Sequence, residues 1–160
     1  MATVREGNKG VLVVVDVQVD VVKGAWDASR IVGNVARAVE RARAEGEALI
    51  HKHFNSSFEQ TSLDDELAQL GATHIVLAGC ATNWCIRATA YGALERGYDL
   101  TLVKDAHTTK TMDLGDGTLL AAQNLVQDLN ITMTCLSYPG RKNGSAKADE
   151  VAFATPGGVG

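Results

Sequence analysis

The sequence predicts an α/β fold, a three-layer α/β/α sandwich around a mainly parallel central sheet. Three observations carry this reading. Gly10 to Val17 (GVLVVVDV) is a continuous apolar run ending at an acid and a valine, the pattern of a central parallel strand buried on both faces. His74 to Ala78 (HIVLA) is a second short apolar run, and a turn and a helical stretch ending at Gly97 follow it. Short strands then alternate with helix-length segments along the chain, with no internal repeat, as βαβ units do.

Composition bounds the class. A chain of 160 residues suits one domain with a real core. Apolar content of 46% and charged content of 21% are those of an ordinary soluble globular protein. A formal net charge of -4 gives no electrostatic case for binding nucleic acid or an anionic membrane. No apolar run approaches the length of a transmembrane helix. Val11 to Val15 is too short, and too soon followed by Asp16, to be the core of a signal peptide. Three cysteines, an odd number, do not form a disulfide framework, so the expected setting is the cytoplasm, with reduced thiols.

The elements follow in order. Asp27 to Glu45 reads as a helix, with Ile31, Val32, Val35, Val39 and Ala42 on one stripe, Asp27 or Ser29 as cap and Gly46 as stop. Ala48 to His51 reads as a short strand and His51 to Gln60 as a loop. A short helix from Thr61 to Leu70 carries acids in its first turn. After the strand His74 to Ala78 comes the helix Ile86 to Arg96, then a strand from Tyr98 to Val103 with Lys104-Asp105-Ala106 at its end. Thr118 to Asp128 reads as a helix with Leu119, Ala122, Val126 and Leu129 on one face, and Ile131 to Leu136 as the last strand. The expected division is a domain over 1–138 and a tail over 139–160, rich in Gly and Ala. That tail is expected to lie across the domain or a neighbouring subunit, anchored by Phe153.

Chemistry concentrates where strands end. Asp16 closes an apolar run, at the end of the sheet where open α/β folds place ligands. An acid there is functional, or else a structural hydrogen-bonding group. Cys85 falls in the first turn of a helix behind the candidate cap Thr82, near unpaired N–H groups and the positive end of the helix dipole. A thiol so placed has a lowered pKa and acts as a nucleophile; the alternative is a buried structural cysteine. Lys52 is an ammonium just past a strand end, or an ordinary solvated lysine. An acid, an ammonium and a thiol brought to one sheet edge supply a base, a charge stabiliser and a nucleophile.

Other residues signal less. His51 and His53 flank Lys52 and would point away from it on a strand, and two histidines without a third ligand make a poor metal site. Cys80 and Cys85 lack C-x-x-C spacing. Gly115-Asp116-Gly117 is no phosphate loop. His107, past a strand end, reads as a solvated loop histidine, the alternative being a pocket-lining residue. Trp26 and Trp84 pack, or wall a flat substrate.

Three separated motifs occur in an order that resembles the isochorismatase-like cysteine hydrolases, which include nicotinamidase and N-carbamoylsarcosine amidase. Val13-Val14-Val15-Asp16-Val17-Gln18-Val19-Asp20 is similar to that family's opening strand with its D-x-Q. Lys52, followed six residues later by Phe58 and then Thr61-Ser62-Leu63, is similar to its lysine motif. Gly79-Cys80-Ala81-Thr82-Asn83-Trp84-Cys85-Ile86-Arg87-Ala88-Thr89-Ala90 resembles its nucleophile turn, G-x-x-T-x-x-C-V-x-x-T-A. Gly97-Tyr98 and Asp105-Ala106 extend the likeness, which covers about residues 10 to 136.

The resemblance implies a catalytic triad of Asp16, Lys52 and Cys85 and hydrolysis of a small-molecule amide or related C–N bond through a thioester. It also implies an oxyanion hole from the N–H groups of Ala81 and Cys85, a cis peptide at Cys80–Ala81, substrate contacts from Phe58 and Trp84, and a homo-oligomer. The chemistry needs no cofactor. Two departures accompany the likeness. Val21 replaces a frequent aromatic of the pocket. Glu45-Gly46-Glu47 is too short for the strand and long loop that the family places before the lysine, so a strand and loop are missing near 46–48. That insertion holds the Asp and His ligands of metal-dependent nicotinamidases, so no metal is expected here. The alternatives are isochorismatase-type vinyl-ether hydrolysis and a non-catalytic binding module on the same fold.

Overall fold

The computed structural model describes residues 4–42 and 47–153. Strand β1 (Gly10–Val15) pairs in parallel with β2 (His74–Cys80), and β2 pairs in parallel with β3 (Asp99–Thr108). A last strand, β6 (Asn143–Ala146), pairs in parallel with β3, so the sheet order is β1-β2-β3-β6. A separate two-stranded ribbon joins β4 (Met112–Asp113) to β5 (Leu119–Leu120), antiparallel.

Alternation along the strands sends side chains into two helical layers. On one face Ile75 and Leu77 pack against Leu63 and Leu67 of α3 (Leu63–Gln69), Ala90 and Leu94 of α4 (Arg87–Glu95), and Leu129 and Met133 of α5 (Ala122–Cys135). On the other, Val76, Ala78 and Val103 meet Ile31, Val35 and Ala38 of α2 (Ala28–Ala42). These buried apolar side chains supply the main driving force for the fold. A short helix, α1 (Val19–Val22), follows the first strand. The architecture is the predicted α/β/α sandwich.

Several boundaries differ from the sequence reading. Ile131–Leu136 is no strand: residues through Cys135 continue α5, because Ala122, Val126, Leu129 and Met133 form one buried helical stripe. Leu119, expected on that helix, is instead exposed in β5. Ala48 to His51 runs without strand pairing. The end of the first helix and Gly46 of the short 46–48 junction lie outside the described residues. The segment after Pro139 supplies β6, which is tied in by the Asn143 amide, a donor to the carbonyls of Met133 (2.8 Å) and Leu136 (2.6 Å). Val151 is buried, and the N–H of Gly10 donates to the carbonyl of Phe153 at 2.8 Å. A Cβ at Gly10 would stand 2.9 Å from Phe153 Cα, so that crossing depends on glycine. The rest of the expected 139–160 tail, after 153, lies outside the described residues.

Candidate active site

The parallel register brings three strand ends together. Val15 lies opposite Gly79, Gly79 opposite His107, and Cys80 opposite Thr108. Asp16 leaves β1 with a positive φ of 48°, a left-handed conformation that short acids tolerate better than most residues. After Cys80 the chain turns through a cis Cys80–Ala81 peptide into a π-helical turn, Thr82–Ile86, which runs into α4. Such π-turns often occur at functional sites. Cys85 sits in this turn, partly exposed.

Lys52 joins the other two members of the expected triad. Its Nζ lies 2.7 Å from Asp16 Oδ2 and 3.3 Å from Cys85 Sγ. It also donates to the carbonyl of Phe54 at 3.1 Å, which fixes where the ammonium points. The Asp16 carboxylate is close enough to the Cys85 thiol to raise its pKa. Asn55 Oδ1 lies 3.8 Å from the same sulfur, a contact that no sequence motif signalled. Asp16 and Cys85 therefore meet at the Lys52 ammonium, although the three come from distant parts of the chain.

The electrostatics correct one expectation. Burial pushes the Cys85 thiol above its ordinary value and Asp16 adds to this, while Lys52 opposes both. The thiol is therefore not readily ionised at rest, because desolvation and the neighbouring carboxylate outweigh the ammonium. For Lys52, burial works against the charge, but hydrogen bonds to Asp16 and Cys85 more than offset it and the pKa is raised. Cys80 is buried, and burial pushes its thiol up to about 11, so it is no competing nucleophile.

The remaining candidates separate. Trp84 is 51% exposed next to Cys85, free to meet a ligand. Phe58 is in the core instead of lining a site: its ring stacks on Tyr98 at 6.2 Å, and the Arg96 guanidinium lies 4.6 Å from its centroid. Its place between the polar residues Ser57 and Glu59 concealed a packing role. Trp26 donates its backbone N–H to the carbonyl of Thr109 at 2.9 Å. His51 and His53 are exposed, and among the described residues no three His, Cys, Asp or Glu side chains form a metal-ligand set. His107 is fully buried rather than solvated. Two open depressions lie along α5, one by Thr134 and Ser145 and the other by Trp26 and Arg30; neither includes the triad, and the site is defined by distances around the Lys52 ammonium.

Comparison with known proteins agrees with this architecture. The isochorismatase domain family matches residues 44–134. Maleamate amidohydrolase of Pseudomonas putida is 33% identical over 94 residues, 52% of this chain and 44% of that protein. A streptothricin hydrolase of Streptomyces noursei is 28% identical over 144 residues, 66% of this chain and 57% of that protein. The chain thus spans about half the length of these curated relatives. An isochorismatase crystal structure from Pseudomonas putida superposes with a TM-score of 0.77 at 20% identity, covering 90% of each chain, which shows a shared fold. With more than half its length matched, the chain belongs to the isochorismatase family.

Proposed function

We propose that this chain is a cysteine hydrolase that cleaves a small-molecule amide or related C–N bond through a covalent thioester. The observation that carries the proposal is the Lys52 ammonium held between the Asp16 carboxylate and the Cys85 sulfur, at 2.7 and 3.3 Å. Two matched relatives bear hydrolase names, one of them an amidohydrolase, which supports the choice of bond.

Cys85 is the nucleophile in this reading, and the raised thiol pKa calls for a base beside it. Asp16 accepts the thiol proton as the sulfur attacks the substrate carbonyl. The N–H groups of Ala81 and Cys85 are the proposed donors to the developing oxyanion. Lys52 offsets the negative charge shared by carboxylate and thiolate. Protonated Asp16 then delivers its proton to the leaving nitrogen as the C–N bond breaks and the thioester remains. Asp16 next takes a proton from water, the resulting hydroxide attacks the thioester, and the acid product leaves as the thiol regains its proton. Trp84 is the proposed wall for the substrate. Self-association belongs to the same proposal, with the exposed Leu114, Leu119 and Leu120 as the apolar surface.

The test is a screen of small amides for ammonia or amine release, with isochorismate alongside. Amide turnover with trapping of an acyl group on Cys85 supports the proposal. Isochorismate cleavage without amide turnover supports the vinyl-ether alternative, and no turnover with an inert Cys85 supports a binding module. Light scattering at the monomer mass overturns the self-association.

A further inference from the structure

His107 is a fully buried titratable group that the mechanism above leaves unused. Its Nδ1 lies 2.8 Å from the hydroxyl of Thr82, also fully buried, and its Nε2 lies 2.8 Å from Asn130 Oδ1. The protonation pattern follows from the outer partner. The Asn130 amide nitrogen donates to the carbonyl of Lys104 at 3.1 Å, so Asn130 Oδ1 is an acceptor and His107 Nε2–H must donate to it. In the neutral ring Nδ1 is then the acceptor, and it receives the Thr82 hydroxyl proton.

Thr82 begins the π-helical turn that carries Cys85, and its carbonyl accepts the N–H of Arg87 at the far end of that turn. The two residues after His107 grip the same region. Thr109 Oγ1 donates to Asn83 Oδ1 at 2.7 Å, and Thr108 Oγ1 donates to the carbonyl of Trp26 at 2.6 Å. The end of β3 thus holds the nucleophile turn and the Trp26 segment through three consecutive side chains.

We propose that His107 is a positioning residue for the nucleophile: its Nδ1, at the end of β3, accepts the Thr82 hydroxyl and so holds the turn that presents Cys85 to Lys52. The proposal rests on the assignment of Cys85 as nucleophile. Its content is a dependence: the coupling between Lys52 and Cys85 needs an acceptor at the Nδ1 position of His107. Asn at 107 keeps a polar atom near the Nδ1 position and loses the reach to Asn130. Gln keeps the reach to Asn130 and loses the partner of Thr82.

The experiment measures iodoacetamide labelling of Cys85 across the neutral-to-alkaline range in a Cys135→Ser background, read by peptide mass. Lys52→Ala is introduced into the parent and into His107→Asn, His107→Gln and Thr82→Val, each checked for native circular dichroism. In the parent, Lys52→Ala raises the labelling midpoint. The same shift persists with His107→Asn and falls to about half or less with His107→Gln and Thr82→Val, the signature of coupled sites. An equal Lys52 shift in all backgrounds overturns the positioning role, because a purely structural histidine would alter stability alone. If His107→Gln does not fold, Thr82→Val carries the comparison. A parent midpoint that ignores Lys52→Ala overturns the triad itself, a separate outcome.

Discussion

The buried hydroxyl of Thr89, on α4, accepts the backbone N–H of Ser57 and donates to Ser57 Oγ, both at 3.0 Å. This pair ties the helix behind the nucleophile to the segment that presents Lys52. Thr61 extends the tie, donating to the carbonyl of Ser57 at 2.6 Å and accepting the N–H of Leu63 at 3.3 Å. Thr89→Val keeps the shape and strands a buried N–H and a buried hydroxyl. The expected cost is about 1–3 kcal/mol per orphaned group. Urea unfolding measures it, and an unchanged midpoint contradicts it. Turnover should fall as well, since the segment carrying Lys52 loses its anchor.

Gly79 has a φ of 127°, and a Cβ there would collide with the carbonyl group of Val15 on the neighbouring strand. The backbones approach this closely because the ladder must bring Asp16 and the nucleophile turn to one edge. Gly79→Ala therefore combines an unfavourable backbone with a clash against main chain that cannot swing aside. A loss of more than about 4 kcal/mol is expected, in the range reserved for core disruption and strain. Native circular dichroism and a wild-type unfolding midpoint would contradict this.

Acid pH gives a third prediction. Burial pulls His107 down to about 4 from an ordinary 6.5, and burial also lowers His74. A base whose folded pKa is depressed binds fewer protons in the native state. Its stability contribution is complete above about 6.5, declines below that and is lost through about 4. Around His107 the ring nitrogens face Thr82 and Asn130, and Asp105 acts on it at longer range. Unfolding midpoints should decline over this window, and His107→Asn should flatten part of the decline. A flat profile in the parent contradicts the prediction.

How far the site was readable from the chain follows from where its parts lie. Asp16 and Cys85 stand beside apolar strands whose ends a parallel sheet must align, so local pattern located both. The sequence places Lys52 past a strand over Ala48 to His51 that does not form, and the motif resemblance is what sets it apart from an ordinary solvated lysine. The β-branched Ile131-Thr132 concealed a helix that the buried Met133 completes, four residues beyond Leu129. Asn143-Gly144-Ser145-Ala146 has no apolar alternation at all; it is a strand because β3 offers an edge and Asn143 caps the end of α5. His107 misled for a related reason. Its polarity suggested solvent, while two long-range partners, Thr82 and Asn130, satisfy it inside the protein.

The triad makes a prediction in which reactivity and turnover part company. Asp16 raises the Cys85 pKa and Lys52 lowers it. Asp16→Asn should therefore lower the alkylation midpoint of Cys85 and leave more thiolate at neutral pH. Turnover should nonetheless fall by about 10²–10⁴-fold, the usual contribution of a general acid–base, because the leaving nitrogen has lost its proton donor. Lys52→Ala should raise the midpoint and also cut turnover, and Cys85→Ala should abolish turnover while substrate still binds. The losses should not add in double variants, since the three groups act as one unit. Cys80→Ser should be mild, because its buried thiol is not placed to react. Alkylation profiles and steady-state rates on the same set of variants separate the two effects. If Asp16→Asn raised the midpoint, or slowed alkylation and turnover together, the carboxylate would not be acting as the base beside this thiol.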